Sequence, residues 1–140
     1  MVITPTDPAQ VNLQFFTDFK TEIAKFPVVD GIQAQKLANK AAQVAYQLSE
    51  LKAGVFHYAE VAESEAKRIL AQGKLGSEGK NSDAREADAR NLPAYITKIE
   101  EVAKARAAQY HLQESYEMTQ ALHYFYSAIY KGENKISSGN

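Results

Sequence analysis

Residues 37–69 read LANKAAQ VAYQLSE LKAGVFH YAEVAES EAKRI, and set out in sevens they follow one rule. The first and fifth places hold Leu37 and Ala41, Val44 and Leu48, Leu51 and Val55, Tyr58 and Ala62, Glu65 and Ile69. Nine of these ten are apolar and only Glu65 is not, so a 3.5-residue period persists for more than four heptads. That period belongs to a helix packed along another helix, and it predicts a second helix from about residue 31 to 72. At 1.5 Å per residue such a helix is roughly 60 Å long. It needs a partner of similar length.

The partner lies downstream. Gly73-Lys-Leu-Gly-Ser-Glu-Gly-Lys-Asn81 is a loop by composition, expected over residues 73–82. Asp83 with Glu86 three residues later can form a capping box that starts a last helical segment over residues 83–131. Asn91 and Pro93 set a kink or break near residues 91–93. Leu92, Ile96, Ile99, Ala103, Ala107 and Tyr110 form one apolar seam along this segment; Met118, Leu122, Phe125 and Ile129 form another, eight residues further on. The offset makes the stripe drift around the helix. Upstream, Asp7 and Pro8 have the cap and first-turn chemistry of a first helix over residues 8–26, with Val11, Phe15, Phe19, Ile23 and Phe26 on one face. Pro27 ends it. No stretch alternates apolar and polar long enough to make a strand.

The expected fold is therefore all-α: a long antiparallel, coiled-coil-like helical hairpin with the N-terminal helix packed at its base, in a single domain closed by a polar tail over residues 132–140. Near the loop the seam is built from Ala62, Ala66, Ala103 and Ala107, which bury little area. A two-helix stretch of that kind gains by pairing with another copy, so a homo-oligomer is expected.

Composition narrows the function classes. The chain has 140 residues, net charge −1 and no cysteine, which excludes disulfides, thiolate metal sites and thiol nucleophiles. No apolar run approaches the roughly 18 residues a membrane span needs, and the opening residues lack a signal peptide's basic and apolar regions. A cytoplasmic protein with no membrane partner is expected.

Candidate chemistry is sparse. His57 with Glu60 and His111 with Glu114 have the spacing of carboxylate–histidine metal pairs. However, His57 and Glu60 fall outside the seam, so a solvated helix face is the plainer reading. The three histidines have no strand-to-helix serine to activate, and His123 among the C-terminal aromatics reads as a satisfied interface group. Five residues separate Gly73 from Gly79, and Asn81 stands where a phosphate loop needs a hydroxyl. No catalytic, cofactor or metal residue is assigned.

Two surfaces remain. Lys67, Arg68, Lys74, Lys80, Arg85 and Arg90 surround the loop against Glu78, Asp83, Glu86 and Asp88, a local excess of +2. They could hold nucleic-acid phosphates, although no stacking aromatics accompany them and local ion pairing is the plainer account. Tyr110, Tyr116, Tyr124, Tyr126 and Tyr130 suit an interface that buries rings while keeping hydroxyls bonded, or else the core made with the first helix.

Glu63-Ser-Glu-Ala-Lys67, the Gly–Lys loop and Asn81-x-x-x-Arg85-Glu-Ala87 before a long Ala-rich helix resemble small helical accessory proteins of bacteriophage early regions, often encoded near recombination and replication genes. The pattern covers about residues 58–130. The resemblance implies an accessory protein that acts by binding a partner, a protein or alternatively DNA. It singles out Asn81, Arg85 and Glu86 as a turn-and-cap group.

Overall fold

The computed structural model describes the backbone of residues 3–138 and the side chains of residues 3–132. It is all-α. A 3₁₀ turn, Pro8–Gln10, precedes α1 (Gln14–Ala24), α2 (Gly31–Gly76), α3 (Ser82–Arg90) and α4 (Pro93–Ser138). The chain divides into two compact units. The first contains residues up to Gln10 together with Ala53–Tyr110, and the second contains Val11–Lys52 together with the chain from His111. Helices α2 and α4 contribute to both.

Each helix start has a local cause. Asp30 Oδ1 accepts from Gln33 N at 2.8 Å while Gln33 Oε1 accepts from Asp30 N at 3.2 Å, a reciprocal capping box that opens α2. Asn81 Oδ1 accepts from Ala84 N at 2.8 Å and caps α3. The cap expected at Asp83 thus sits two residues earlier. Asp7 does cap, accepting from Ala9 N at 2.9 Å, but it closes only the 3₁₀ turn. The first α-helix starts at Gln14, where Asn12 Oδ1 accepts from Gln14 N at 2.9 Å. Gly73 and Gly76 lie inside α2, which narrows the loop expected over residues 73–82. Residues 132–138, expected as tail, continue α4, and Gly139 and Asn140 lie outside the described residues.

In the second unit the N-terminal helix packs where expected. Ala34, Leu37, Ala38 and Tyr126 form a buried cluster, and Ile23, Phe26, Val29, Leu122, Ile129 and Tyr130 pack against it. Phe16 and Phe19 of α1 are buried as well. Along α2 this unit buries Ala41, Val44 and Leu48 of the heptad series. Ala38 O meets His123 Nδ1 at 2.9 Å, and Lys52 Nζ stands 4.4 Å from the centre of the Tyr116 ring. Moving up α2 means moving down α4, so the two helices are antiparallel here.

The first unit repeats that order, with Glu60 and Glu63 meeting Arg106 and Glu65 meeting Lys98. Its core is lean: Val55, Ala59, Ala62, Ala66, Ala89 and Ala105. The two helices are not bare, however. Thr6 N–H donates to Gly54 O at 3.0 Å, and a Cβ on Gly54 would fall 2.0 Å from Thr6 Oγ1, so glycine there lets the N-terminal segment lie against α2. Gly73 does the same for α3, since its Cβ would fall 2.9 Å from Ala89 Cβ.

The α2 seam is borne out from Leu37 to Ile69, each residue being buried or half-buried. The α4 seam is not. Leu92, Ile96, Ile99, Ala103, Ala107, Met118 and Phe125 are all exposed. Among the described residues of α4 the buried ones are Ala105, Leu112, Ser115, Thr119 and Tyr126. The buried hydroxyl of Thr119 donates to its own helix at Ser115 O, 2.8 Å away, which allows a polar residue to face inward.

Candidate functional site

The basic residues around the loop are brought together but largely answered by local partners. Glu86 on α3 lies 3.8 Å from Lys74 and 3.3 Å from Arg90, and Glu63 lies 3.9 Å from Lys67. Arg68 donates to Gln72, and Arg85 Nε donates to Gly79 O at 3.1 Å. Ser77 Oγ donates to Asp88 Oδ2 at 2.6 Å and accepts from Gly79 N, which fixes the loop on α3. Lys80 is exposed, and among the described residues it has no ion-pair partner. The arrangement is a braced turn bearing charges of both signs.

Deeper in the first unit lies a polar clamp. Arg106 Nη2 holds Glu60 and Glu63 at 2.5 and 2.6 Å, and its guanidinium lies 5.7 Å from the centre of the Phe56 ring. Hydrogen bonds to the two carboxylates raise the Arg106 pKa, and Arg106 lowers that of Glu63. Lys98 Nζ reaches Glu101 at 2.7 Å and Glu65 at 2.9 Å, which raises its pKa. The Tyr58 hydroxyl donates to Glu101. Glu101 titrates below the usual range, chiefly because of Lys98 and then Tyr58. Glu65, the one polar residue of the heptad series, is thus a clamp member.

The same contacts set a pH dependence. Tyr58 is pushed up to about 12, first by its bond to Glu101 and then by burial. Raised above its unfolded value near 10, it contributes stability below pH 10 that is lost as pH rises towards 12. Thermal melts should therefore fall between pH 10 and 12, and Tyr58→Phe should flatten that part of the fall. An unchanged slope in the variant would remove Tyr58 as its source. At the acid end, the contribution of Glu101 is present above about pH 4.5 and is lost below it.

The tyrosines divide. Tyr126 is only 5% exposed, and burial raises its pKa; Tyr130 packs on the same cluster. Of the two readings left open by the sequence, Tyr126 takes the core made with the first helix, and Tyr130 is partly buried against that core. Tyr116 is half-buried beneath Lys52 and accepts from Gln120 at 2.7 Å. Tyr110 and Tyr124 are about two-thirds exposed, at 67% and 66%. In the second unit Tyr124, Tyr116, His123 and Gln120 join Tyr46 and Ser49 of α2 around an open groove of about 350 Å³. Tyr46, equally exposed, was not singled out from the sequence because it falls between seam positions.

Periodicity finds the apolar stripe of α4 in the first unit but not the direction it faces, which is outward. Leu92 precedes α4 and packs on Gly73 of α2, but Ile96, Ile99, Ala103 and Ala107 follow one another by three, four and four residues. They therefore share one stripe, turned away from the side of α4 that carries Lys98, Glu101 and Ala105.

Among the described residues no group of three or more His, Asp or Glu could hold a metal ion. No helix is long and apolar enough to cross a membrane. Comparison with family models, with characterised proteins and with solved structures gives no match.

Proposed function

We propose that this chain is a non-enzymatic helical interaction protein that works as a homo-oligomer and acts by occupying a protein partner, as a phage-encoded accessory or host-interaction factor does. One observation supports this above the rest: apolar side chains at helical spacing remain on the surface of α4. They are Ile96 and Ile99 in the first unit and Met118 and Phe125 in the second. Contiguous apolar faces of this kind mark association surfaces, whereas single exposed apolar residues do not. The lean alanine core of the first unit adds a reason to seek further burial. The host cytoplasm is the compartment this reading implies.

The alternative, DNA held by Lys67, Arg68, Lys74, Lys80, Arg85 and Arg90, has less support because Glu63 and Glu86 already stand against three of these six. Light scattering tests the first reading. A mass at a multiple of 15.5 kDa is expected at micromolar concentration, and a clean monomer at high concentration would overturn it. Titration with mixed-sequence DNA should show negligible retention. Binding that falls steeply with salt and disappears on Lys80→Ala and Arg85→Ala would favour the alternative.

A further inference from the structure

We propose that a second copy of this chain docks antiparallel on the outer face of α4 in the first unit, with the two-fold axis near residue 102. This rests on the reading of the chain as a self-assembling protein, and it names the surface and the orientation.

The stripe Ile96, Ile99, Ala103 and Ala107 is exposed throughout, with Ile96 at 45% and Ile99 at 41%. Large side chains occupy its first half and alanines its second half. In an antiparallel pair each large half lies over the small half of the other copy, Ile96 against Ala107 and Ile99 against Ala103. Alanine there lets the backbones approach closely, and both halves of each copy are covered.

Charge complementarity sets the register. Glu100 and Lys104 border the stripe on one side and are exposed, and neither has an ion-pair partner among the described residues. The neighbouring charges Lys98, Glu101 and Arg106 are engaged with α2 or with one another. Antiparallel helices bring like edges together. With the axis near residue 102, Glu100 of each copy meets Lys104 of the other, and the pair forms twice by symmetry. A parallel pair would set that edge against the opposite border of the stripe, where the only cation is Arg106, already held by Glu60 and Glu63.

Cysteine cross-linking provides the test, because the native chain has no cysteine and each introduced thiol reports alone. All the positions used are exposed, so the fold is retained. Ala103→Cys, close to the axis, should oxidise to a covalent dimer. Ile96→Cys alone and Ala107→Cys alone should not, because in this register each is about 15–18 Å along the helix from its own copy. Mixed together, these two variants should cross-link. Glu100→Lys should weaken the dimer about fivefold, and adding Lys104→Glu should restore it. Self-linking of Ile96→Cys and of Ala107→Cys would show parallel pairing and overturn the proposal. An oligomer by light scattering with no cross-link at any of the three positions would overturn this surface and leave the broader reading standing. A wild-type monomer would remove both.

Discussion

Phe19→Ala is expected to lose about 4 kcal/mol of folding free energy, the largest effect of any single truncation to alanine in α1. Phe19 is 0% exposed, and with Phe16 it is one of two fully buried residues in a helix of eleven. A helix of that length is not stable alone in water, so α1 owes its existence to the face it buries. Removing the ring takes away the transfer free energy of an aromatic side chain and leaves a void in a site that is wholly closed to solvent. For a chain of this size the melting temperature should fall by about 12 °C. Val28→Ala, at a side chain 85% exposed, is the matched control and should change stability by under about 0.5 kcal/mol. Circular dichroism melts and urea titrations measure both. A loss below about 1 kcal/mol at Phe19 would mean that α1 does not dock through its phenylalanines.

The docking of α1 was legible in the sequence because aromatic residues repeat on one face of a short segment that Pro27 ends. The start of the helix was not, because Asp7-Pro8 has the chemistry of a helix start yet closes only a three-residue turn before Asn12 restarts the chain. The α2 seam was legible for a different reason: its apolar positions have a single inward direction, and Glu65, the one that is polar, faces Lys98. The C-terminal tail was misjudged because one glycine, Gly132, costs a helix only about 1 kcal/mol and no proline follows it. At the loop the basic residues were legible as a cluster with local ion pairing, but the contact that α3 adds was not. Glu86 answers Arg90 as an i,i+4 pair within α3, but it answers Lys74 only because α3 folds back on Gly73, a contact that no local spacing announces.

Helix α4 is the instructive case, and a pair of substitutions decides it. Leu112→Ala should destabilise the protein by about 3 kcal/mol, whereas Ile99→Ala should cost under about 1 kcal/mol in dilute solution. Periodicity assigns them the opposite way, because Ile99 belongs to an apolar run and Leu112 is flanked by His111, Gln113 and Glu114. The packing reverses this: Leu112 is 1% exposed and Ile99 is 41% exposed. The reversal is possible because polar residues on the inner face find partners there. Lys98 and Glu101 are held in the clamp, and Thr119 is satisfied by its own helix. A pattern that treats every polar side chain as outward therefore selects the wrong face. It selects a real face nonetheless, because an apolar stripe at helical spacing does not say whether the surface that covers it belongs to the same chain. Denaturation as a function of protein concentration separates the two cases. The loss at Leu112 should be the same at every concentration. The loss at Ile99 should grow as concentration rises, because what the variant gives up is association, whose contribution follows mass action. A concentration-independent cost of several kcal/mol at Ile99 would instead place that side chain in the core and turn α4 back to the face that periodicity chose.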